Sequence, residues 1–152
     1  MPQDFPATRD DVDAIAAWTV IRAARELARG LAAELDPLDL SPVEFGVLIQ
    51  LAAADALSQA ELARLVGVRP QSMTALVAGL HDRGLLDRGA ERGRGRLSRV
   101  SLTPAGRALL AEAYPRVLAS NRWFGSDEAA SAVVTALRPV LAETTGPADA
   151  VP

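Results

Sequence analysis

Between Ser58 and Arg107 the chain reads SQAELARLVGVRPQSMTALVAGLHDRGLLDRGAERGRGRLSRVSLTPAGR, and this order of starts and stops leaves few folds open. Ser58 with Glu61 forms a capping box: the serine oxygen accepts a free helix amide, and the acid accepts the amide of the cap. The helix it opens runs from Ser58 to Val66 and closes on Gly67. A second helix begins at Pro70, where a missing N–H costs nothing, and ends before Gly84. Its spacing buries Met73, Leu76, Val77 and Leu80. Leu85 to Arg88 and Leu97 to Leu102 then read as a hairpin, with Val100 and Leu102 facing in and Arg99 and Ser101 facing out. Two short helices followed by a hairpin with an arginine-rich tip are the plan of a winged helix-turn-helix.

The flanks are helical by the same signals. Thr8 with Asp11 and Ser41-Pro42 with Glu44 resemble capping boxes, and Thr103-Pro104 and Ser126-Asp127-Glu128 mark two further starts. They predict helices over about Arg9–Leu35, Pro42–Ala54, Pro104–Phe124 and Asp127–Thr144. In the first, Ile21, Ala24, Ala28, Leu31 and Leu35 form a stripe suited to a partner helix. In the last, Val133, Val134, Leu137, Val140 and Leu141 are more apolar surface than a small winged unit needs, which predicts a homodimer. The expected fold is mainly α: about six helices, a two-stranded wing and flanking dimerisation helices. At 152 residues and 49% apolar the chain needs only one domain, 1–152. Within it, 38–102 form the winged helix-turn-helix lobe, and 8–36 with 103–145 form the dimerisation helices.

Charge is distributed to match. Ser58–Arg107 carries nine arginines against four acids, net +5, within a chain of formal net charge −3. Phosphates respond to the field within about 10 Å at physiological salt, so an acidic chain with a basic middle can still attract DNA.

On the second helix of the pair, Gln71, Ala75, Ala78 and Asp82 lie opposite the buried face, flanked by Ser72, Thr74 and Gly79. Small residues let a helix sit deep in a major groove, and a glutamine near its start can bond base edges. A solvated face explains this pattern equally well in isolation; the adjoining hairpin favours DNA. Arg92, Arg94 and Arg96 place three guanidinium groups in five residues. They repel one another without an anionic partner, and such groups enter narrow minor grooves or bridge phosphates. A tip of this kind also suits single-stranded RNA, but no aromatics are interleaved with it. The expected contacts to double-stranded DNA, at a palindromic operator, are Ser58, Gln59, Arg69, Gln71, Ser72, Thr74, Ala75, Arg92, Arg94, Arg96 and Arg99.

Other chemistries find no residues to work with. No cysteine and a single histidine, His81, leave no disulfide, thiol or transition-metal site. No phosphate loop or nucleophile elbow is present, so neither an enzyme nor a cofactor is expected. The longest apolar run, Phe45–Ala54, is too short for a membrane span, and a cytoplasmic location follows as the expectation. Trp18 and Arg22 share a helix face, and Phe45 opens the next helix. Together they could line a gap for a small aromatic or phenolic effector, with Arg22 binding a carboxylate. The plainer account makes the aromatics core and Arg22 part of a salt bridge.

Three passages carry a wider resemblance: Leu62-Ala63-Arg64 to Gly67, Leu80-x-x-Arg83-Gly84-Leu85-Leu86-x-Arg88, and Leu102-Thr103-Pro104-Ala105-Gly106. Together they resemble the MarR family of bacterial transcription regulators, over nearly the whole chain. The resemblance implies a homodimer with interlocked terminal helices, the second helix of the pair in the major groove and the wing in the minor groove. It implies a repressor released by a small ligand. The family's wing carries Asp-x-Arg, whereas here Arg94 stands at the aspartate position before Arg96; either Glu91 substitutes as the carboxylate, or the tip binds DNA with more charge and less precision. The alternative is a winged-helix protein-interaction module that has lost DNA binding.

Overall fold

The computed structural model describes residues 6–89 and 98–145, so Glu91, Arg92, Arg94 and Arg96 lie outside the described residues. Every expected helix start is present. Thr8, Ser41 and Ser58 each complete a capping box, with Asp11, Glu44 and Glu61 respectively. Thr103 Oγ1 accepts from Gly106 N at 3.1 Å, and Ser126 Oγ accepts from Ala129 N at 3.1 Å.

The elements in order are α1 (Arg9–Asp13), α2 (Ala16–Leu35), a 3₁₀ turn (Asp36–Leu38), α3 (Pro42–Ala54), β1 (Ala56–Ser58), α4 (Gln59–Val66) and α5 (Pro70–Asp82). They continue with β2 (Leu86–Arg88), β3 (Arg99–Leu102), α6 (Pro104–Ala119), a second 3₁₀ turn (Ser120–Phe124) and α7 (Asp127–Thr145). The first helix is therefore two. Ala14 still bonds back to Asp10, but Ile15 swings to ψ 96°, an extended setting that a β-branched residue accepts readily. Likewise α6 stops at Ala119, and the tighter turn carries the chain on to Phe124.

The sheet has three strands among the described residues, in the order β1-β3-β2, both pairs antiparallel. The hairpin alone predicts two. The added strand pairs Leu57 with Val100, while β2 pairs Leu86 with Leu102. All four are buried, so the pleat turns one apolar face onto the helices. That face meets Val47, Leu48 and Leu51 of α3, Leu62 of α4, and Met73, Val77 and Leu80 of α5. Leu35 at the end of α2 and Leu110 of α6 close the core.

The second 3₁₀ turn attaches to α2, next to α6, while α7 packs on that turn and on α4. The Trp123 ring lies over Gly30, where a Cβ would come within 2.7 Å of it, and Arg122 pairs with Glu34 at 3.2 Å. Ile15, Trp18, Val20 and Ile21 at the α2 end, Tyr114 and Leu118 on α6, and Val134 and Val140 on α7 remain exposed. The α2 stripe is thus open at Ile21 and closed at Leu35. Among the described residues no helix is long and apolar enough to cross a membrane.

Candidate nucleic-acid interface

The helix pair is built around Gly67. Its φ of +76° ends α4, and the amides of Gly67 and Val68 both bond to the Ala63 carbonyl, at 2.9 and 3.0 Å. A left-handed setting at that point suits glycine, and it swings the chain back across α4. Arg69 follows with ψ 149°, the extended setting demanded by a following proline, and Pro70 opens α5. The Arg69 side chain at the N-cap makes no capping bond to α5. Its first-turn amides and the positive end of its dipole therefore stand beside the exposed Arg69.

Burying Met73, Val77 and Leu80 turns Gln71, Ser72, Thr74 and Ala75 outward, and all four are exposed. Thr74 is also a brace. Its hydroxyl lies 3.2 Å from Gln59 Oε1 and 3.1 Å from the Pro70 carbonyl, tying α5 to the start of α4. That contact uses the Gln59 amide oxygen and leaves the amide's N–H donors for another acceptor.

Of the expected contact residues, Ser58 is held inward and Arg99, though exposed, is engaged by the fold. Ser58 is only 5% exposed. Its Oγ accepts from Glu61 N at 3.2 Å, and its own amide donates to Glu61 Oε2 at 2.7 Å. That amide and the Ser58 hydroxyl hold the Glu61 carboxyl below its ordinary range, with Arg99 and Arg64 adding smaller attractions. Arg99 projects from β3, yet its Nη2 donates to the Ala56 carbonyl at 2.5 Å. Both residues fasten β1 and α4 to the sheet.

Arg83 is the residue the sequence pattern names without a role. It sits just past α5, and its Nη2 donates to the Asp39 carbonyl at 2.7 Å. The same guanidinium lies 3.5 Å from Glu44 and 3.7 Å from the Asp39 carboxylate. Asp39 stands 44 residues back along the chain, a pairing that local spacing cannot reveal.

Trp18, Arg22 and Phe45 are placed apart in role. Arg22 lines a shallow groove along α1 and α2 with Asp13, Thr19, Arg25, Glu26 and Arg29. Trp18 is 40% exposed on α2, and Phe45 packs half-buried on the core. A different groove, of about 540 Å³, opens between α3 and α6. Ile49 and Ala52 form one wall, with Arg107, Leu110, Ala111 and Tyr114 on the other. Pro115 sits inside α6 and has no N–H to give the carbonyl four residues earlier. The Ala111 carbonyl therefore lacks that helical donor, and Ala111 lines the groove together with a guanidinium and a phenol.

Comparison with known proteins agrees with this architecture. The sequence profile of the MarR family matches residues 38–97. The HTH-type transcriptional repressor Rv2887 of Mycobacterium tuberculosis (strain ATCC 25618 / H37Rv) is 37% identical over 109 residues, covering 72% of this chain and 78% of that protein. The crystal structure of the same-named M. tuberculosis MarR family protein in complex with salicylic acid superposes with a TM-score of 0.65 at 30% identity. It covers 84% of this chain and 99% of that one. A MarR family transcriptional regulator from Silicibacter pomeroyi gives a TM-score of 0.74 at 28% identity, over 91% of this chain and 96% of the other.

Proposed function

Because the chain belongs to the MarR family of winged helix-turn-helix transcriptional regulators, we propose that it is a homodimeric repressor that binds double-stranded DNA at a palindromic operator in the cytoplasm. One observation carries this reading: α5 turns Gln71, Ser72, Thr74 and Ala75 outward beside Arg69 and an uncapped helix start. A helix fixed on one face by buried Met73, Val77 and Leu80, and polar and small on the other, suits the major groove. Gln59, Arg69, Gln71, Ser72, Thr74 and Ala75 are the proposed contacts, joined by Arg92, Arg94 and Arg96. Ser58 and Arg99 act at one remove, by holding β1 and α4.

The flanking segments 8–36 and 103–145 form the dimer platform. Exposed Ile15, Ile21, Leu118, Val134 and Val140 support that role. Release follows from a small aromatic or phenolic anion, as the salicylic acid complex of the M. tuberculosis relative suggests by analogy. The groove of Arg107, Ala111 and Tyr114 offers it a guanidinium for a carboxylate and an acceptor for a hydroxyl. Trp18 and Arg22, exposed on α2, fit the surface between copies better than a gap with Phe45. No step here is enzymatic.

A mobility-shift experiment tests the reading. A randomised duplex pool is enriched on the wild-type chain, and the selected duplex competes with random DNA at two salt concentrations. The expected result is retention of the selected duplex at a salt that releases random DNA. No enrichment at either salt favours the protein-interaction alternative.

A further inference from the structure

We infer that Arg83 is a positioning residue, through which the elbow between α2 and α3 sets the angle of α5 in the groove. The inference rests on α5 being the DNA-reading helix. The elbow is well defined. Asp39 ends the first 3₁₀ turn at φ +51°, its amide bonded to Asp36 at 3.0 Å, and the Leu40 amide reaches back to Leu35 at 3.4 Å. The Arg83 guanidinium donates to the Asp39 carbonyl at 2.7 Å, a charge-assisted bond of the stronger class. Glu44 supports the other nitrogen at 3.5 Å while accepting the Ser41 amide at 2.8 Å. One carboxylate thus starts α3 and holds the arginine. The Asp39 carboxylate at 3.7 Å is almost fully exposed and adds little.

The two ends of α5 are therefore held by different parts of the fold. Its start is braced on α4 by the Thr74–Gln59 contact. Its far end is tied to the point where the proposed dimer helix hands over to the winged lobe. A helix of 13 residues is about 20 Å long, so a small shift at the tied end tilts the reading face. Base contacts tolerate only about 0.5 Å of misplacement, whereas long arginine side chains follow phosphates through larger tilts. Freeing Arg83 should therefore cost sequence discrimination and half-site spacing before it costs overall affinity.

The test measures binding by fluorescence anisotropy for wild type, Arg83→Ala, Arg83→Lys and Glu44→Gln. Three probes are used: the duplex enriched by the wild-type chain, the same duplex with one base pair inserted between half-sites, and random duplex. Arg83→Ala is expected to reduce the selected-to-random ratio about tenfold and to shrink the penalty for the inserted base pair. Its salt dependence stays that of wild type, because no phosphate contact is lost. Arg83→Lys, which keeps one donor without the fork, should recover part of the ratio. Glu44→Gln, which still suits the capping box, should lose part of it, and thermal melts identify any variant that is simply unfolded. Equal loss on all three probes overturns the inference, as does a log–log salt slope shallower by about 0.9, the mark of a lost phosphate contact. A wild type that enriches no duplex sinks the DNA-reading proposal itself. Full discrimination and spacing preference in both Arg83→Ala and Glu44→Gln sinks only the role of Arg83.

Discussion

Gly106 lies so close to Leu85 that a Cβ on it would stand 2.2 Å from the Leu85 carbonyl oxygen. That carbonyl already accepts the Thr103 amide at 3.2 Å, and the Thr103 hydroxyl donates to Gly84 at 2.6 Å. The start of α6 is thereby clamped against the strand entering the wing. Gly106→Ala must push backbone apart and should destabilise the fold by about 1–3 kcal/mol or more. Gly79, with nothing within 4 Å of its would-be Cβ, is the control. Gly79→Ala should gain about 0.5–1 kcal/mol from helix propensity. Chemical denaturation reads both, and a Gly106→Ala midpoint equal to wild type would contradict the clamp.

The contrast between these glycines shows what the sequence made legible. Capping boxes at Thr8, Ser41 and Ser58, the Gly67 turn and the Pro70 start act within a few residues; the boxes and the turn appear with their bonds in place, and Pro70 opens α5. The outward face of α5 was readable for the same reason, since a 100° step needs only local sequence. β1 was not, because Ala56–Ser58 is too short to alternate and becomes a strand only where β3 offers an edge. Arg83 and Asp39, the Trp123 ring over Gly30, and the groove shared by Ile49 and Arg107 join distant stretches of chain. Ser58 and Arg99 were expected as DNA contacts; the cap buries Ser58, while Arg99 stays exposed with one donor on the Ala56 carbonyl, a bond to a residue 43 positions back that local spacing does not reveal.

The Ser58–Glu61 box has a pH signature. Bonds from the Ser58 amide and hydroxyl hold the Glu61 carboxyl below its ordinary 4.5. A depressed carboxylate contributes stability above its unfolded pKa and loses it as pH falls through the folded value. Glu61→Gln keeps the cap's shape and removes the titration. The stability gap between wild type and Glu61→Gln should narrow as pH falls from about 6 to about 3. A gap that stays constant over that range would show that the carboxylate charge is not what the cap uses.

The dimer proposal is checked by light scattering. Val134 and Val140 are 61% and 63% exposed on α7, and burial against a second copy would remove that surface from water. Wild type should scatter as a dimer at micromolar concentration. The pair Val134→Asp and Val140→Asp should shift it towards monomer without loss of helix by circular dichroism. A monomeric wild type contradicts the platform.

Effector binding is expected at the groove between α3 and α6. Calorimetry with salicylate and a neutral phenol should show salicylate binding to wild type and to Arg22→Ala, and a loss of at least tenfold in Arg107→Ala, since charge-assisted bonds are worth about 1.5–3 kcal/mol. Loss in Arg22→Ala with retention in Arg107→Ala would return the site to α2.

The central claim is that α5 reads sequence, and Gln71→Ala tests it most directly. Anisotropy titrations would compare wild type and Gln71→Ala on the selected duplex, on its single-position variants and on random DNA across a salt series. The predicted result is a loss of about 1–3 kcal/mol of discrimination at one base position, with the salt slope unchanged. Equal loss on selected and random DNA would contradict it and take α5 out of the reading role.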